Sequence, residues 1–304
     1  QMTNNIYIFG TGRWAQEFIQ YIYKSKNNKI FIISKKNHVK LWVKKNKLKD
    51  ISFLTRLPIN NPQFNSKVFI LSLVKDHYSQ IRISIKKKYK KIFVEKPIVK
   101  SKQQFNFIKN YKKKIFISRI FSYDDKLNSF LKNLNNSKIK SVKIIWHDPQ
   151  KEKRRDKLKF QDKSIKYSYD ILPHIINILD IVFGYKNNKP KKFYFDIDSK
   201  NKSNFKFLIK NVDVSCDLSR ISTRKRIIEI RINDVLYVFD FTNNQNYILK
   251  KIIKGKIKKV RVFKTKLDNL KKMIFSFISE NNKFDFLNFK YSQTYFKNYS
   301  KFFK

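Results

Sequence analysis

Apolar residues in the first third of the chain alternate between two spacings. Short continuous runs read as buried strands: "IYIFG" (Ile6–Gly10), "KIFIISKK" (Lys29–Lys36), "KVFILSLV" (Lys67–Val74), "KKIFVEKP" (Lys90–Pro97) and "KIFISRIF" (Lys114–Phe121). Between them, "RWAQEFIQYIYKS", "HVKLWVKKN", the stretch running on to Tyr89 and "SKQQFNFIKNYKK" repeat apolar residues at helical spacing. Strand–helix alternation of this kind predicts a parallel sheet with helices on both faces. The pattern then changes. A helix is expected over Asp170–Gly184, ended by its glycine. Strand runs surround it: "SVKIIWHD", "KKFYFDID", "FKFLIKNVDVSCDLSRI", "KRIIEIRI", "VLYVFDF" and "NYILKKII". Short turns between most of these favour an antiparallel sheet. A last helix, "LDNLKKMIFSFISENN", precedes an aromatic tail. The expected class is α/β, with one domain over residues 1–120 and a second over 121–304.

Composition supports two cores, since 304 residues at 41% hydrophobic exceed what one small domain needs. No apolar run is long enough to span a membrane, and no secretory signal is expected from the opening residues. Cys216 is the single cysteine and cannot form an internal disulfide, which fits a reducing cytoplasm. The net charge of +48 invites a nucleic-acid reading. The lysines, however, are spread along the whole chain. Ile, Lys, Asn, Phe and Tyr are abundant and Ala, Gly and Pro scarce, as an AT-biased genome produces in any protein it encodes. That account is preferred to a nucleic-acid partner, although the summed field still favours anionic ligands. In such a chain, motifs built on small residues gain weight. It has four glycines, and two of them lie in Gly10-Thr11-Gly12-Arg13-Trp14-Ala15 beside its only alanine.

That segment follows a strand and opens a helix, as a dinucleotide-binding turn requires. Gly10 would permit the tight turn, Gly12 would let backbone approach a pyrophosphate, and Ala15 would keep the helix close to the strand. An ordinary strand–helix turn is the alternative. The second strand ends in Ser34, Lys35 and Lys36, where a fold preferring NAD usually carries an acidic residue. A hydroxyl and two ammonium groups favour a 2′-phosphate, so NADP(H) is expected over NAD(H). Glu95-Lys96-Pro97 closes the fourth strand at a carboxyl end, and Lys96 there can donate to a substrate oxygen. Asp170 and His174, four apart, share a helix face. Histidine titrates near neutrality and suits proton transfer, although a core or capping histidine is the plainer reading of either residue alone. His147 ends a strand, and His77 follows the third strand near the expected cofactor edge.

Together these segments resemble the Gfo/Idh/MocA family of NAD(P)-dependent oxidoreductases. The matches are "GTGRWA", "LVKDH" (Leu73–His77), "VEKP", "ISRIFSYDDKL" at the domain junction, and Asp170-x-x-x-His174, in the family's order over nearly the whole chain. The resemblance implies a Rossmann domain followed by an α/β domain with a large open, mainly antiparallel sheet. That sheet often mediates assembly, here into a homodimer or homotetramer. It implies hydride transfer between nicotinamide and a carbonyl or hydroxyl carbon of a sugar-like or other small substrate. Lys96 would polarise the oxygen, His174 would exchange the proton and Asp170 would position substrate or histidine. Gly10, Thr11, Gly12, Arg13 and Trp14 would lie along the cofactor, with Leu73, His77, Glu95 and Lys96 nearby. Arg119 and His147 would join the substrate side. No metal is expected. The family also includes reductases of imine or tetrapyrrole-like substrates, and a non-catalytic dinucleotide- or nucleic-acid-binding protein is the reading from another class. Leu172 stands where many members have glycine, and Pro173 precedes the histidine; both bear on substrate class more than on the reaction.

Overall fold

The computed structural model describes residues 4–279 other than 26, 135–137, 152, 155–156, 159–164, 185–189, 244 and 265–268. The aromatic tail therefore lies outside the described residues. The chain forms two compact units. The first runs to Arg119 and takes in the later segment from Asn269, and the second spans Ile120–Asp268.

In the first unit the elements are β1 (Asn4–Phe9), α1 (Arg13–Lys24), β2 (Asn28–Ile33), α2 (Asn37–Lys45), β3 (Ile51–Leu54), β4 (Asn65–Ile70), α3 (Val74–Lys86), β5 (Ile92–Val94), α4 (Lys102–Lys109) and β6 (Ile115–Ile117). All strands are parallel, in the order β3-β2-β1-β4-β5-β6. This is the Rossmann arrangement. The central strands are buried on both faces, which explains their unbroken apolar runs: Ile6, Ile8, Val68, Phe69, Ile70, Ile92, Phe93 and Val94 are all inaccessible to solvent. β3 is an addition to the expected strands. Its four residues extend the sheet edge beyond β2, and none of them is fully buried.

A short 3-10 turn (Ile120–Tyr123) opens the second unit. It continues through α5 (Asp125–Asn133), β7 (Ile139–His147), the small hairpin β8 (Lys153–Arg154) and β9 (Lys157–Leu158), and α6 (Tyr167–Phe183). Then follow β10 (Lys191–Asp198), β11 (Lys202–Ile209), β12 (Val212–Ser219), β13 (Lys225–Ile232), β14 (Val235–Asp240), β15 (Asn246–Ile253) and β16 (Lys256–Lys264). Eight strands make one sheet, ordered β10-β11-β12-β7-β13-β14-β15-β16. Its pairs are antiparallel except β12 with β7, so the sheet is mainly antiparallel. The run Phe205–Ile221 is two strands, not one. It folds back at Lys210 and Asn211, both left-handed at φ 50° and 65°.

Helix α6 packs on β11 and β12 and beside α5. It is apolar nearly all round, as a helix enclosed on every side must be. It starts at Tyr167, three residues before the expected Asp170. Its only positions that are not fully buried are Asp170, His174 and Ile181, which lie on one stripe.

The last described helix, α7 (Asn269–Ile278), belongs to the first unit although it follows the second in the chain. Phe277 explains this. Its ring meets Phe69, Phe93 and Phe116, on β4, β5 and β6, at 5.0, 5.5 and 5.3 Å between centroids. Phe277→Ala is expected to lower the unfolding free energy by about 3–5 kcal/mol, the usual cost of emptying a buried phenylalanine site. Chemical denaturation measures it, and a loss under about 1 kcal/mol would contradict this role for α7.

Candidate active site

Strand order reverses between β1 and β4, and open parallel sheets hold ligands at the carboxyl ends of strands beside such a reversal. The two glycines there have different tasks. Gly10 has φ +116°, and a Cβ on it would meet the Leu71 carbonyl carbon and oxygen at 2.6 Å and Ser72 N at 2.9 Å. Any side chain would push the loop off β4, so Gly10 is required by the fold. Gly12 caps α1 in an extended conformation that any residue adopts, φ −69° and ψ 171°. A Cβ there would meet nothing within 4 Å among the described residues. The packing of the described residues does not need Gly12 to be glycine. Neither a side-chain cap nor an acidic residue occupies the first turn of α1, whose N–H groups and positive dipole end are of the kind that suits an anion. Arg13 is the first helical residue, and Trp14, 40% exposed, stands edge-on to Phe18. Ala15 is fully buried.

Beyond β2, the Ser34 hydroxyl accepts the Lys36 N–H at 3.0 Å, leaving its own hydrogen to donate. Lys35 and Lys36 are exposed, and Lys36 caps α2. Leu73, 53% exposed, caps α3. His77 behaves differently from its neighbours. It is buried, with Nδ1 3.0 Å from the Pro97 carbonyl and Nε2 3.1 Å from the Ser72 carbonyl. Burial pushes its pKa down, against the pull of the Ser72, Pro97 and Ile98 carbonyls and Asp76. A neutral ring donates to only one carbonyl at a time. His77 therefore sits between the loop after β4 and the loop carrying Lys96 and bonds to the backbone of one of them at a time.

Glu95 follows β5 and is buried. Its Oε2 accepts the Lys96 N–H at 3.0 Å, while Oε1 is buried with no hydrogen-bond partner among the described residues. Burial raises its pKa; Ser118, Lys96 and Trp14 oppose that rise. A carboxyl whose folded pKa is raised favours folding below the ordinary glutamate value and loses that contribution as pH climbs through the raised one. Glu95→Gln should accordingly raise the melting temperature at neutral pH, and the gain should disappear below the ordinary glutamate pKa of 4.5. Melting curves across pH measure this; an equal gain at both ends would show that charge is not the cause. Lys96 is half-buried, joined to Pro97 by a cis peptide. Arg119, after β6, is also half-buried, and its N–H points to Met273 Sδ at 3.3 Å.

In the second unit, Asp170 and His174 share the part-open stripe of α6. The His174 ring stacks on Trp146, 5.2 Å between centroids and 13° from parallel, and meets the Phe121 ring at 5.2 Å and 90°. Trp146 is buried on β7. His147, the next residue, faces the other side of the sheet because strand side chains alternate. Its Nε2 lies 3.1 Å from Asp217, on β12. The structure thus separates His147 from His174 although both belong to the second unit.

No family model matches the sequence, and neither does any curated protein. Solved structures do. KijD10, a 3-ketoreductase from Actinomadura kijaniata in complex with NADP and TDP-benzene, superposes with a TM-score of 0.73 at 11% identity, over 96% of this chain and 95% of that one. The dehydrogenase MviM of Clostridium difficile superposes with a TM-score of 0.65 at 14% identity, over 98% of both chains. Likeness at such identities establishes the two-part fold.

Beyond the residues anticipated, the second unit holds a charged network near α6. Asp148, 2% exposed, accepts from Arg226 Nη2 at 2.6 Å and from the Tyr167 hydroxyl at 2.9 Å, with Arg224 Nη1 at 3.7 Å. Burial and the Asp148 charge keep the Tyr167 hydroxyl protonated. The Arg226 guanidinium lies 4.1 Å from the centre of the Trp146 ring. In "IIWHD" the histidine faces away, and the tryptophan and aspartate are the residues turned toward α6 and Arg226. The cross-strand pairing of β7 with β13 that joins them leaves no local signal.

Proposed function

We propose that this chain is an NADP(H)-dependent oxidoreductase of the Gfo/Idh/MocA type, acting on a carbonyl or hydroxyl carbon of a sugar-like substrate. The observation that carries the reading is the contrast at the first turn: Gly10 locked against β4, Gly12 facing open space at an uncapped helix N-terminus. That is a cradle for a pyrophosphate. Ser34, Lys35 and Lys36, with no carboxylate among them, favour a 2′-phosphate. The buried Oε1 of Glu95, without a hydrogen-bond partner among the described residues, would offer an acceptor to an amide N–H, as a nicotinamide carboxamide would supply. The NADP bound by KijD10 and that enzyme's ketoreductase activity support the same reading by likeness of fold.

A bound nicotinamide supplies or accepts the hydride. The chain's own residues would do the rest. Lys96 would hold and polarise the substrate oxygen, His174 would give or take its proton, and Asp170 would orient substrate or imidazole. Arg13, Trp14 and Leu73 would wall the cofactor, and His77 would act through the backbone of the Lys96 loop. Arg119 would contact substrate or cofactor. We assign a nucleotide-binding role to the first domain and a substrate-binding and assembly role to the second, in a cytoplasmic homodimer or homotetramer.

Cofactor choice is testable by thermal shift. A ligand at about a hundred times its Kd stabilises by about 2.7 kcal/mol. NADPH should raise the melting temperature more than NADH at equal concentration, and Lys35→Asp should reverse that order. An unchanged preference in Lys35→Asp would remove Lys35 from the phosphate site.

A further inference from the structure

We infer that Arg226, acting through Trp146, is a positioning residue for the His174 ring; the inference rests on reading His174 as the proton-transfer group. Arg226 and Trp146 are direct cross-strand partners on β13 and β7. Their side chains leave the sheet on the same face, the one that α6 covers. The guanidinium sits 4.1 Å from the indole centre and donates to Asp148 at 2.6 Å. A cation over an indole face in a site shielded from water is among the stronger contacts an aromatic ring makes. Phe121 and Phe241 close on the same indole edge-to-face, at 5.6 Å and 89° and at 5.8 Å and 72°. Trp146 is 1% exposed, and its Nε1 has no hydrogen-bond partner among the described residues. Among the described residues the indole is therefore oriented by packing and by the Arg226 charge, with no hydrogen bond to fix its rotation.

His174 inherits that orientation. Its imidazole lies 13° from the indole plane, so tilting it means tilting Trp146. The helix itself is anchored separately. Tyr167, in the first turn of α6, donates to the other oxygen of the same Asp148 at 2.9 Å. One buried carboxylate thus sets both the start of α6 and, through Arg226 and Trp146, the plane of the ring that α6 carries. Removing the Arg226 charge should let the indole and the His174 ring shift together while the helix stays in place.

The chain has four histidines, few enough for each ring C–H to be resolved in a protein labelled with 13C at histidine. The His174 resonance, identified by its loss in His174→Asn, should lie upfield of the exposed His38 because of the Trp146 ring current. In Arg226→Met it should move toward the His38 position. With a ketosugar substrate, kcat should fall about tenfold to a hundredfold at nearly unchanged KM. Arg226→Lys, which restores a cation over the indole, should recover part of both. Asp148→Asn, which keeps an oxygen for Tyr167 and loses the charge that holds Arg226, should shift the resonance in the same direction and decides the matter if Arg226→Met does not fold. A His174 resonance unmoved in the folded variants would overturn the inference. Wild-type protein that turns over no ketosugar with NADPH would instead count against the catalytic reading, and the resonance would still decide whether Arg226 sets the ring.

Discussion

Gly12→Val is expected to keep the fold and abolish NADPH binding, while Gly10→Ala is expected to damage the fold. The two glycines lie two residues apart in one turn, so the contrast separates a packing requirement from a ligand requirement. At Gly10 a methyl group would stand 2.6 Å from the Leu71 backbone, at φ +116°. Strain of this kind costs about 1–3 kcal/mol before the loop moves to relieve the contact. At Gly12 the backbone is already extended, and nothing described lies within 4 Å of the added carbon. The stability cost there is limited to the weaker capping preference of valine, under about 1 kcal/mol. Its isopropyl group would fill the space beside the first turn of α1. NADPH affinity should fall at least about a hundredfold, equivalent to about 2.7 kcal/mol. Circular dichroism melts and a binding titration on both variants measure this pair. A Gly12→Val protein that binds NADPH like the wild type would leave the glycine unexplained.

The second large effect concerns chemistry. Lys96→Ala and His174→Ala should each lower turnover by about 10²–10⁴, the range over which a positioned proton donor or acceptor contributes. NADPH affinity should change little in either variant, since the cradle at α1 is untouched. Steady-state kinetics with a panel of ketosugars, beside a binding titration, separates the two quantities. Unchanged turnover in both variants would refute the assignment of these residues, whatever the cofactor does.

Much of the first unit was legible because its physics is local. Strands buried on both faces show as unbroken apolar runs. In a chain nearly without small residues, the Gly10–Ala15 cluster marked the turn at the strand reversal. What escaped reading depended on partners distant in sequence. β3 is four residues at a sheet edge with no fully buried position. β16 escaped notice because lysines interrupt its apolar residues and nearly all of it is exposed. The hairpin between β11 and β12 turns on Lys210 and Asn211, and lysine is not a residue that announces a left-handed turn. α7 reads as an ordinary amphipathic helix; only the Phe277 contacts reveal which unit it completes. At the candidate site, Asp170 and His174 were visible by their spacing. Arg226 and Asp148 were not, because their link to His174 runs through a cross-strand pair and a ring stack.

Direct measurement of NADPH binding to the wild-type protein, by calorimetry with NADH in parallel, tests the central claim most simply. The expected result is a saturable site that prefers NADPH and is lost in Gly12→Val while the melting temperature of that variant stays near the wild type. A wild-type protein that binds neither nucleotide would contradict it.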